Sequence, residues 1–231
     1  MMGDYIVGKK FLFTISFLIY SSYCFSDELE IDLCDRDKIN TVTTLSGLKP
    51  CMESKYRDDV GMAVWWLSMI QDKRAPNILI NIWNGKKLDM FNVTDGYIED
   101  VVVRIQAVKG LLKFNIGKKS DYTDFIYRQA SNPDPFVRNE VASVLSQFGD
   151  TKAVHTLAAI VKYDYVNVSY NALTSLINIY QMGPDRDEAR QAILNLYNNI
   201  ESIRSATVKT TLEEFVKHDF KQNLPKMDDN M

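Results

Sequence analysis

Apolar positions along this chain recur at helical spacing, and one pattern returns four times. It consists of a first residue, a small residue four places on, and a Leu four places after that. The copies are Asp59/Ala63/Leu67, Val103/Ala107/Leu111, Val137/Val141/Leu145 and Val168/Ala172/Leu176. Steps of four keep the three members on one helical face, and the small central residue lets a neighbouring helix approach closely. The copies begin 44, 34 and 31 residues apart, the range of period that stacked helical hairpins produce. From Asp58 onward no two-residue alternation survives over the length of a strand, so the pattern predicts an all-α chain.

The clearest unit opens at Asp134-Pro135 and closes at Gly149-Asp150. Asp134 suits a helix N-cap, Pro135 the first turn and Gly149 the terminator. Asp150 then caps a second helix, whose buried stripe is Ala153, Leu157 and Ile160. The same stripe stands earlier as Ala75, Leu79 and Ile82 after Asp72, at offsets of three, seven and ten in both sets. Each repeat is therefore expected to pair an outer helix with an inner one bearing the triad. The inner helices are expected near 55–70, 97–114, 134–148 and 165–181, and the outer ones near 73–84, 120–130, 151–162 and 185–200. A last helix near 206–220, rich in Lys and Glu on one side, reads as a terminal cap. The longer first interval marks an insertion at 85–96, and insertions in repeat proteins gather on one face, often the binding face.

The ends modify this picture. Lys9 and Lys10 precede an apolar run from Phe11 to Tyr20, and Ser21 to Ser26 follow as a polar stretch. Residues 1–26 thus read as a signal peptide cut before Asp27. Ten apolar residues are too few to span a hydrocarbon core of about 30 Å. Acylation at Cys24 is the alternative, although Tyr23 stands where a lipoprotein signal carries a small residue. Loss of the leader leaves 25 basic and 29 acidic residues, a balance that makes no electrostatic case for nucleic acid. No later stretch is apolar enough for a membrane span. Residues 27–55 read as an N-terminal cap. Export leaves Cys34 and Cys51, an even pair expected to form a disulfide in an oxidising compartment and to pin the cap to the first repeat helix. Residues 56–220 are the repeat domain, and 221–231 read as a flexible tail.

Val137-Arg138 with Val141, Leu145 and Gly149-Asp150, together with Val103-Arg104, Ala107 and Leu111, resemble HEAT repeats of the short, phycobilisome-lyase-like type. The resemblance covers roughly 56–197. It implies a HEAT-like α-solenoid of about four helical-hairpin repeats with N- and C-terminal caps, and contacts from the repeat Arg to an Asp between repeats. The Val-Arg pair is absent from the first and fourth copies, which read Asp59-Val60 and Val168-Ser169. Lyases of that type attach a bilin to a partner's cysteine in the cytoplasm, and no residue here matches such an activity.

No catalytic constellation emerges. There is no Gly-rich phosphate loop, no nucleophile elbow and no metal-type His pair, and His155 and His218 read as surface or boundary residues. Neither a cofactor nor a metal is expected. Positions two and six after the first triad residue are expected to point toward a groove, which nominates Trp65, Ile105, Lys109 and Tyr170, with Met62 beside them. Aromatic residues are where interface hot spots concentrate. The alternative for Trp65 and Trp66 is burial under the N-terminal cap. Phe91, with Met90 and Val93, is a second candidate patch, or else staples the insertion to the first repeat. Asn92-Val93-Thr94 and Asn167-Val168-Ser169 match glycosylation acceptors, the second inside a helix triad. The expected function is non-enzymatic binding of another protein in the periplasm or outside the cell, as an immunity protein or an envelope adaptor. An enzyme or small-ligand carrier with a site assembled across repeats is the alternative.

Overall fold

The computed structural model of the chain describes Cys34, Ile39 and residues 41–220 apart from Asp95. The expected signal peptide (1–26) and tail (221–231) lie outside the described residues. Among these residues there are ten α-helices and no strand. They are α1 (Leu45–Met52), α2 (Arg57–Trp66), α3 (Ala75–Trp83), α4 (Val101–Lys113), α5 (Lys119–Gln129), α6 (Pro135–Phe148), α7 (Thr151–Tyr163), α8 (Val166–Met182), α9 (Arg186–Asn198) and α10 (Ala206–Asp219).

Local chemistry sets the helix ends. The Asp134 carboxylate accepts from Phe136 N at 2.8 Å, with Pro135 filling the first helical position of α6. Asp150 does the same for α7 through Ala153 N at 2.7 Å, Asp100 for α4 through Val102 N at 2.8 Å, and Ser205 for α10 through Val208 N at 3.2 Å. These bonds satisfy amides that the first helical turn leaves without partners. Gly149 ends α6 at φ 62°, with its N–H on Leu145 O at 3.1 Å; only glycine adopts that conformation at little cost. At the approach to α3, Arg74 donates from its guanidinium and its backbone N–H to Asp72 and holds that carboxyl at about 2.

The helices form two layers. In one, the triad-bearing α2, α4, α6 and α8 pack side by side in chain order and α10 closes on α8. In the other, α3 lies against α4, α5 against α6, α7 against α8 and α6, and α9 against α8 and α7. Each second-layer helix therefore pairs with the triad helix that follows it, a HEAT-like α-solenoid. By the same logic α1, which packs on α2, takes the outer place of an incomplete first hairpin. The cap α10, packed on α9, takes the inner place of the last.

Burial follows the repeating stripes. Ala63, Leu67 and every member of the other three triads are buried, and so are Ala75, Leu79, Ile82, Ala153, Leu157 and Ile160. Asp59 is half-buried and accepts from Ser54 Oγ, while Val60 beside it takes the fully buried place. Aromatic rings bridge the second-layer helices: Trp83 on α3 meets Tyr122 and Phe125 on α5 at ring-centroid distances of 5.3 and 5.1 Å. The Tyr127 hydroxyl on α5 donates to the Asp150 cap of α7 at 2.7 Å, and burial together with that carboxylate pushes its pKa upward.

Cys34 and Cys51 are bridged, their Cα atoms 5.4 Å apart. Cys51 belongs to α1, so the bridge closes the cap on itself, contrary to the expectation that it pins the cap to the first repeat helix. That connection is made instead by the Trp66 indole N–H, which donates to Val42 O at 2.9 Å.

Candidate functional site

Each residue advances about 100° around an α-helix, so position two lies about 200° and position six about 240° beyond the first triad residue. Those 40° separate seam from surface. At position two, Gly61 stands where an added Cβ would meet Val102 Cγ1 of α4 at 3.7 Å, and the Asn139 carbonyl accepts from Asn171 Nδ2 of α8 at 2.9 Å. Ile105, the same position in α4, is fully buried. The groove-facing expectation for Ile105 is therefore corrected: the next triad helix covers that flank. Tyr170, the fourth copy, is half-buried against the core, and burial raises its phenol pKa.

Position six and the position one turn later are the open ones. They carry Trp65 and Met69 on or just beyond α2, Lys109 and Lys113 on α4, Ser143 and Gln147 on α6, and Thr174 and Asn178 on α8; every one is half-buried or exposed. Trp65 meets Trp66 edge-on at 5.4 Å and carries the Lys109 ammonium over its face at 5.4 Å. Lys113 Nζ contacts the Met69 sulfur, and Met69 is 40% exposed. Met62, half-buried, flanks Trp65 one turn before it. The structure thus brings Trp65 together with Lys109 and Met69 together with Lys113 on this face.

Beneath this row lies a polar seam at position three. Gln106 on α4 donates its amide to the Glu140 carboxylate on α6; both side chains are buried, and the Gln106 carbonyl oxygen has no hydrogen-bond partner. At position one, the two repeat arginines differ. Arg138 reaches both oxygens of Asp164 at 2.6 Å and the carbonyls of Asn132 and Pro133, the inter-turn contact that HEAT resemblance implies. Asp164 follows Arg138 by 26 places, and 26 places after Arg104 stands Ala130. Arg104 lies instead between the rings of Trp83 and Phe125, 4.9 and 4.8 Å from their centroids.

Phe91 belongs to a staple. It and Leu88 are buried, and the insertion is tied to the α1–α2 connection by Asn92 N on Glu53, Thr94 Oγ1 on Ser54 O and Tyr97 Oη on Lys55 O. The expectation that Phe91 forms a binding patch gives way to this packing role. Asn167 is exposed but opens α8, where Val168 and Ser169 are buried.

Sequence reasoning missed a second exposed apolar feature. Tyr163, Tyr165 and Val166 are 65%, 69% and 50% exposed around the α7–α8 turn, which Arg138 clamps through Asp164. Large apolar residues in a turn, where small polar ones are usual, were the signal available. The histidines are on the surface, with His155 Nε2 3.3 Å from Glu188 across α7 and α9. A shallow concavity of about 150 Å³ lies beside that pair. Among the described residues no three His, Cys, Asp or Glu side chains are grouped to hold a metal ion, and no helix is long and apolar enough to cross a membrane.

Residues 98–177 match the family model for HEAT repeats, a span running from just before α4 into α8. It contains both Val-Arg helices and the open row from Lys109 to Thr174. No curated protein matches the chain closely enough to be called a relative.

Proposed function

We propose that this chain is an exported, non-enzymatic binding module that holds a segment of another protein on the open face of its triad helices. The observation that carries the reading is the cluster of Met62, Trp65 and Met69 on that face, bordered by Lys109 and Lys113. Partly open aromatic and methionine side chains with charged neighbours have the composition of interface cores and rims, and HEAT repeats commonly mediate protein–protein interaction. The short lyase-like repeat type belongs to this reading, supported by the Arg138–Asp164 contact. Export is supported by the Lys9-Lys10 pair ahead of the 11–20 apolar run and by the Cys34–Cys51 bridge. Within that compartment the chain acts as an immunity protein neutralising a toxic effector, or as an envelope adaptor.

Capture from the native envelope tests the reading. The wild-type chain is expected to retain a partner that the Trp65→Ala/Met69→Ala variant loses, with little change in melting temperature. Equal recovery by both would remove the triad face from consideration. A mature N-terminus at Asp27 in an envelope or secreted fraction checks export, and an adjoining effector gene separates the immunity role from the adaptor role.

A further inference from the structure

Arg138 and Arg104 hold the same place in successive repeats, yet only one of them is satisfied within the chain. The Arg138 guanidinium donates to both oxygens of Asp164 and to the carbonyls of Asn132 and Pro133. Among the described residues the Arg104 guanidinium donates no hydrogen bond and meets no carboxylate at ion-pair distance, and its buried Nε has no partner. Asp164 is the C-cap of α7. The C-cap of α5, 26 places after Arg104, is Ala130, which has no side-chain acceptor. The aromatic neighbours do not close the site. The Trp83 and Phe125 centroids stand 5.1 Å apart and lie 4.9 and 4.8 Å from the guanidinium carbon, a triangle of nearly equal sides. Both rings therefore lie to one side of Arg104. Of its nitrogens Nε is the one buried without a partner, which leaves Nη1 and Nη2 at the solvent edge. A ring face attracts a cation but offers no hydrogen-bond acceptor in the guanidinium plane, so the charge stays unneutralised.

We infer that Arg104 is a binding site for a carboxylate from outside the chain, carried on an aromatic or aliphatic group. The carboxylate bridges Nη1 and Nη2, the forked geometry that guanidinium and carboxylate share. Its apolar body rests on the half-buried rings of Trp83 and Phe125, where removing surface from water adds to affinity. One guanidinium matches one negative charge, so a monocarboxylate suits the site better than a phosphate dianion. That carboxylate is the charged end of a small organic acid or the C-terminus of a polypeptide ending in an apolar residue; both offer the same chemistry. Arg104 lies about 140° around α4 from Lys109. The site is thus separate from the open row and does not rest on the proposed function.

Titration of benzoate into the purified chain tests the inference, read at the Trp83 indole N–H in a proton–nitrogen correlation spectrum and assigned with a Trp83→Phe variant. Benzoate is expected to shift that signal saturably, with a dissociation constant on the order of 1 mM. Benzamide, of the same shape without the charge, is expected to bind about tenfold more weakly or less. Arg104→Lys keeps the charge and loses the fork, so its affinity for benzoate should fall about tenfold. An unchanged circular dichroism melt of the lysine variant separates loss of the site from loss of the fold, and Arg104→Met should abolish the shift. A short peptide ending in Gly-Phe, compared as free acid and as C-terminal amide, distinguishes the two sources. Binding of its acid form assigns a chain terminus, and binding of benzoate alone assigns a small organic acid. Equal shifts by benzoate and benzamide, wild-type affinity in Arg104→Lys, or tighter binding of inorganic phosphate would overturn the inference. No shift with either acid would overturn it as well, while leaving the protein-binding reading to the envelope capture.

Discussion

At the scale of single residues, the difference between core and surface on the triad helices comes down to about 40° of arc. Ile105 and Lys109 are four residues apart on α4, and one is fully buried while the other lies over Trp65. Ile105→Ala should therefore act on stability. Truncating a buried Ile costs about 2–5 kcal/mol through lost transfer energy and the cavity left behind, readable as a lowered urea midpoint with unchanged slope. Capture of the envelope partner, measured well below the melting temperature, should stay as in the wild type. A variant that unfolds at the wild-type midpoint would show that Ile105 is not enclosed between α4 and its neighbours. The triads and the second-helix stripes were legible in the sequence because their partners sit three or four residues away. The fate of position two was not, because a helix one repeat further on covers it.

At the scale of elements, the two repeat arginines do one structural task by different means. Each belongs to the first turn of a triad helix; Arg138 reaches the flanking connections and Arg104 the rings of two second-layer helices. Arg138 uses both oxygens of Asp164, the two side chains only 14% and 8% exposed, and adds two carbonyls of the α5–α6 turn. Arg104 has aromatic faces where a carboxylate would be. Removing one partner of a buried ion pair strands the other and costs about 3–5 kcal/mol, whereas losing a cation–π contact costs about 0.5–2 kcal/mol. Arg138→Met should consequently destabilise more than Arg104→Met in chemical denaturation. Arg138→Met combined with Asp164→Leu should recover much of the loss, since no charge is then buried alone. Equal costs for the two single variants would mean that Asp164 is solvated rather than clamped. The missing Asp partner of Arg104 corresponds to Ala130 at the offset that Asp164 occupies from Arg138, but the aromatic replacement has no such local mark. Trp83 and Phe125 come from two different second-layer helices, and no local spacing brings them together.

At the scale of the whole molecule, a solenoid stabilises itself through nearest neighbours, so a change at one end should be felt mainly there. The N-terminal end is built from α1, its Cys34–Cys51 bridge, the Trp66–Val42 hydrogen bond and the insertion strapped to residues 53–55. Among the described residues these features pack chiefly on α2 and on one another. A bridge across a separation of 17 residues is worth about 3 kcal/mol in the chain-entropy account. Replacing both cysteines by serine should therefore loosen the cap without loosening the repeats. Amide hydrogen exchange resolves the two: α1 and α2 should lose roughly two orders of magnitude of protection, while the α6 and α8 amides keep theirs. Because Trp65 and Met69 stand on or just beyond α2, the same variant should weaken partner capture although it touches no residue of the open row. Uniform loss of protection from α1 to α10 would show instead that the chain unfolds as one cooperative body, and that the cap supports the distant repeats as strongly as the adjacent one.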